Sequence, residues 1–92
     1  KKRLKEIISE VNGSKKVYVL DKNLNVIRIT SMNQISRDLL EIRNAFALII
    51  DGKANSSVVQ SAEKVGVRCI AAKNFSDASA ESIEFVSFWN DH

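Results

Sequence analysis

Ninety-two residues, 45% apolar and 27% charged, are enough for one modest core and one domain, and that balance excludes intrinsic disorder and a fibrous chain. One cysteine and one histidine exclude an internal disulfide and an ordinary zinc site, and the net charge of +3 is modest for a dedicated polyanion binder. The longest apolar run, Ala45 to Ile50, is far short of the roughly 20 residues that cross a bilayer, so a soluble, cytoplasmic protein is expected. The chain opens on Lys1-Lys2-Arg3 without a methionine, as expected of the C-terminal part of a longer protein.

Leu4, Ile7, Ile8 and Val11 recur at helical spacing among lysines and glutamates, and Asn12-Gly13 tolerates a left-handed end, which predicts an amphipathic helix over residues 1 to 12. Six cations stand against two carboxylates in the first sixteen residues, so this segment holds +4 and the rest of the chain about −1. Lys1, Lys2, Arg3 and Lys5 are therefore candidates for contact with nucleic acid or another anion, beside the plainer reading of a solvated helix face. Val17 to Leu20 and Val26 to Thr30 read as strands around the polar turn Asp21 to Asn25, which makes a hairpin.

Ser31-Met32-Asn33-Gln34 has capping-box spacing and predicts a helix to about Arg43. Ala45 to Ile50 then reads as a strand covered on both faces, ended by Asp51-Gly52-Lys53. Ser57 to Gln60 repeats the capping-box spacing and opens a third helix that Gly66 closes. Val67 to Ala72 is the next strand, parallel to its predecessor across a strand–helix–strand crossover. Residues 74 to 82 read as a polar loop and residues 83 to 89 as a final aromatic strand. The expected fold is a single α/β sandwich: a mixed sheet of about five strands, hairpin plus parallel strands, with about three helices.

No catalytic set is complete. His92, the sole histidine, is the last residue, a poor place for the base of a triad, and the carboxylates lack calcium-loop or paired-aspartate spacing. Cys69, between Val67 and Ile70, reads as a packing residue. The best candidate site is the loop after the central strand, because ligands of open α/β sheets favour the carboxyl ends of strands. There Lys53 offers a charge and Ser56 a hydroxyl, Asp51 repels phosphate unless a cation bridges it, and turn-and-cap chemistry is the plainer reading. Phe85, Phe88 and Trp89 form an aromatic end suited to a protein partner, with core packing the alternative, above all for Phe85.

The succession Val17-Tyr18-Val19-Leu20-Asp21, Leu24 to Ile27, Phe46 to Gly52 and Ala62 to Val67 resembles the C-terminal region of archaeal DnaG-like primases, over about residues 16 to 88. The resemblance implies the order hairpin, helix, strand, Asp-Gly, helix, strand, below an upstream Toprim domain that carries the family's magnesium-binding carboxylates. No cofactor is implied for this chain, and no catalytic residue. The resemblance further implies DNA primase activity in the parent, and membership of the archaeal RNA exosome through its RNA-binding cap subunit, with RNA contacted by the parent. The family's Thr-Gln-Arg has no counterpart in Lys53-Ala54-Asn55-Ser56-Ser57, so only Asp51 and Gly52 carry over, as structural marks. Support of the Toprim site and nucleic-acid binding through the basic first helix are the alternatives to a docking role.

Overall fold

The computed structural model describes residues 2–75 and 80–87, the side chains of Lys2 and Leu4 excepted. Among them run α1 (Lys2–Val11), β1 (Val17–Leu20), β2 (Val26–Thr30), α2 (Ile35–Glu41), β3 (Ala47–Ala54), α3 (Ser56–Lys64), β4 (Cys69–Phe75) and β5 (Glu84–Ser87). The strands form one mixed sheet in the order β2-β1-β3-β4-β5. β1 is antiparallel to both β2 and β3, while β3, β4 and β5 are mutually parallel. The expected α/β class, hairpin, five strands and three helices are all present.

β3 is central because its residues 47 to 50 are apolar on both faces. Leu48 and Ile50 point into a cluster with Ile35, Leu39, Val58, Val59 and Ala62, so α2 and α3 cover that face. Ala47 and Ile49 point into a second cluster with Ile7, Val11, Leu20 and Ala71, so α1 covers the other. Three layers result. Fully burying an aliphatic side chain contributes roughly 1.5–3 kcal/mol, and Ile7 and Val11 together hold α1 on the sheet.

Local chemistry sets the ends of the elements. Gly13 at φ +89 and Gly66 at φ +86 take the left-handed conformation that ends α1 and α3, as Asn12-Gly13 and Gly66 predict. Asp21 accepts from the amides of Asn23 and Asn25, both at 2.9 Å, and so fixes the hairpin turn.

Four sequence expectations need correction. Asp51-Gly52-Lys53 does not end the central strand: β3 runs on to Ala54 through a bulge, with three steps from Ile50 to Lys53 opposite two from Ala72 to Asn74. Gly52 at φ +151 makes this possible, in a backbone region that side chains rarely enter. Asn74 and Phe75, expected in a loop, accordingly belong to β4.

Neither capping box forms as the spacing predicts. α2 begins at Ile35 after a turn in which the Gln34 amide donates to the Ser31 carbonyl, no side chain caps it, and it ends at Glu41 with Ile42 already extended. α3 is capped two residues earlier than Ser57, by Asn55, whose Oδ1 accepts from the Val58 amide at 2.9 Å. Asn55 directly follows β3, keeps its extended backbone and carries a side-chain acceptor, so it takes the cap ahead of Ser57.

Loss of a cap costs about 1 kcal/mol. Asn55→Ala should therefore destabilise the domain by about that amount in urea unfolding, and Ser57→Ala by no more than a few tenths. Equal effects would restore the serine as the cap.

Candidate functional site

The carboxyl end of the parallel strands is built around Asp51. Its side chain is only 3% exposed and meets Lys73 Nζ of β4 at 2.6 Å through Oδ1. That oxygen has the ion pair and no further hydrogen bond among the described residues. The other oxygen, Oδ2, accepts from the Lys15 amide at 2.6 Å. The Asp51 amide in turn donates to the Lys16 carbonyl at 3.1 Å, continuing the pairing of β1 with β3 beyond Val17.

One carboxylate thus ties three segments together: β3, β4 and the α1–β1 connection. Lys15 sits at φ +59, a left-handed conformation that costs an ordinary residue about 1–2 kcal/mol. A charge-assisted hydrogen bond of roughly 1.5–3 kcal/mol offsets this. Burial raises the Asp51 carboxyl pKa, but the bond from Lys73, the Lys15 amide, the Lys73 charge and the Gly13 amide outweigh it, and the carboxyl is held below its ordinary range. Asp51 is ionised, neutralised and enclosed, with no proton to exchange near neutral pH.

Lys53 and Ser56 of the predicted anion site are exposed at this same end, Lys53 on β3 past the bulge and Ser56 as the first residue of α3. The basic first helix lies elsewhere. Arg3 Nε donates to the carbonyl of Leu24 in the hairpin turn at 3.4 Å, beside the amino end of β3, where Leu20 pairs with Ala47. From Ala47 to Lys53 the strand advances about 20 Å, so Arg3 and Lys53 belong to two separate surfaces. Lys5 is exposed on α1. Lys1 lies outside the described residues, and Lys2 is the first residue of α1.

Of the aromatic group, Phe85 is half-buried and packs edge-on against Phe75, ring centroids 5.0 Å apart, on the face covered by α2 and α3. Phe88 and Trp89 lie outside the described residues. The exposed apolar side chains Ile29 and Leu40 do not join into one patch. Ile29 pairs with Tyr18, which packs on the α1 side of the sheet, whereas Leu40 is on α2, across it.

A shallow groove at the opposite, amino end of the strands is lined by Leu24, Phe46, Arg68, Cys69, Ile83 and Glu84 among others. Burial, then the Glu84 charge, pushes the Cys69 thiol upward, so it is a protonated packing group and not an activated nucleophile. Among the described residues no group of three or more His, Cys, Asp or Glu is placed to hold a metal. None of their helices is long and apolar enough to cross a membrane.

Sequence reasoning missed Lys73 as the partner of Asp51. The signal was present: in the parallel register Ile50 pairs with Ala72, and each strand follows its apolar run with one charged residue on the face that carries Ile49 and Ala71. Comparison with family models, with curated proteins and with solved structures finds no match.

Removing one partner of a buried ion pair leaves the other charge uncompensated, at about 3–5 kcal/mol for full burial. Lys73 keeps 25% exposure, so Asp51→Asn should cost about 2–4 kcal/mol in urea unfolding. The depressed folded-state pKa adds a pH signature. The stabilisation is complete above the unfolded carboxyl's ordinary value, about 3.9, and fades as pH falls below it. Wild type should therefore lose stability on acidification below about pH 4, and Asp51→Asn should lose measurably less.

Proposed function

We propose that this domain is a non-catalytic docking module, the C-terminal domain of an archaeal DnaG-like primase that joins its parent to the RNA exosome through the RNA-binding cap subunit. The observation that carries the reading is the order hairpin, helix, strand, Asp-Gly, helix, strand over residues 17 to 75, with Asp51-Gly52 inside the central strand. The use of Asp51 as an enclosed structural ion supports the same reading, since it leaves the family's mark without a catalytic task. The parent's Toprim carboxylates would bind magnesium and make RNA primers. RNA would reach the complex through the parent, in the cytoplasm.

Docking through Phe88 and Trp89, with Phe85 a third candidate contact, suits the enrichment of large aromatic residues at interfaces and binding hot spots. Calorimetric titration of the domain with the exosome cap subunit should give saturable heat and co-elution at micromolar concentration. Phe88→Ala with Trp89→Ala should weaken binding at least tenfold, about 1.4 kcal/mol or more. No heat and no co-elution would overturn the docking role.

A further inference from the structure

The sequence raises one objection to an anion site after the central strand: Asp51 repels phosphate unless a cation bridges it. The structure supplies that cation, with Lys73 Nζ 2.6 Å from an Asp51 side chain that is 3% exposed. A buried carboxylate with its own counter-ion contributes little outward field. The objection falls.

What remains outward at this end is basic. Lys15, Lys16 and Lys53 are all exposed and form no ion pair among the described residues. Lys15 and Lys16 are bonded to Asp51 through their own backbones, and Lys53 follows Asp51 by two residues. All three are therefore fixed at one end of the sheet by one clamp. Asp38 is occupied by Arg28 at 3.5 Å and by the Thr30 hydroxyl. Glu10, in the last turn of α1, is the exposed carboxylate nearest in sequence to Lys15 and Lys16.

We propose that Lys15, Lys16 and Lys53 form a phosphate-binding surface at the carboxyl end of the sheet, taking the phosphates of a single-stranded nucleic acid or of a smaller phosphorylated ligand. Exposed Ser56 and Ser57 open α3 at the same end, three and four residues after Lys53, and add hydroxyl donors there. The clamp holds the α1–β1 connection in place before binding, so less order is lost on contact. This surface is separate from the α1 charges, and the inference does not rest on the docking reading.

Fluorescence anisotropy with a labelled mixed-sequence RNA of about ten nucleotides tests it. Each neutralised phosphate of a single strand contributes a slope of about −0.7 in log affinity against log salt. Three contacts predict a slope near −2. Lys15→Gln, Lys16→Gln and Lys53→Gln together should flatten that slope and weaken low-salt binding at least tenfold, with an unchanged circular dichroism spectrum and melting transition. Lys53→Gln alone should give a partial loss. Arg3→Gln with Lys5→Gln should stay within twofold of wild type.

Inorganic pyrophosphate distinguishes the two phosphate sources. Displacement of the RNA by pyrophosphate at comparable concentration points to the smaller ligand, and its failure to displace points to nucleic acid. Three outcomes would overturn the proposal: neither probe binds at low salt, the triple variant binds as wild type does, or poly-glutamate binds as tightly as RNA. The last would mark an acidic protein as the partner.

Discussion

A single enclosed carboxylate organises this domain's functional end. Asp51 stands where the central strand leaves the core, and it meets a lysine from the neighbouring parallel strand and an amide from the connection below α1. An unpaired carboxylate at that depth is costly. The three segments must therefore meet for the charge to be tolerated, which turns one residue into a test of correct assembly. The hydrophobic clusters on either face supply most of the folding free energy, but they are tolerant of small slips. An ion pair at 2.6 Å is less so, and it sets how β3, β4 and the α1–β1 connection meet.

The bulge at Gly52 belongs to the same arrangement. An uninterrupted strand would carry its alternation straight on past Asp51. That alternation holds here, with Asp51 on the α1 side and Ala54, three residues on, buried among the α2 and α3 contacts, while the extra residue shifts β3 by one position against β4. Lys53 is left exposed between them. The strand thus carries a buried anion on one face, an apolar anchor on the other and an exposed cation at the end of the sheet within four residues. Basic character at this end then follows from where the one deep acid is hidden rather than from an excess of lysines.

Much of this was legible in the residues. Apolar runs and helical spacing located every element, because burial on one or both faces writes its period directly into the chain. Gly13 and Gly66 marked helix ends correctly, since a left-handed stop has few alternatives. The capping boxes at Ser31 and Ser57 misled, because their spacing describes a helix start without knowing where the preceding turn or strand lets go. Asp51-Gly52 misled in the same way: the pair signals a turn, and a paired strand on each side made it a bulge. The Asp51 to Lys73 contact is long-range, and only the parallel register brings it together. Arg3 and Lys5 on the first helix and Lys53 after the central strand read as two separate candidates in the sequence, and the sheet's length keeps them apart.

If Asp51 and Lys73 act as one unit, their effects on stability must couple. A double-mutant cycle of Asp51→Asn and Lys73→Gln, read by urea unfolding at neutral pH, measures this directly. A coupling energy of about 1.5 kcal/mol or more is predicted, with the double variant less destabilised than the sum of the single ones. Additivity within about 0.5 kcal/mol would contradict the clamp and return Asp51 to the status of an ordinary strand-end residue.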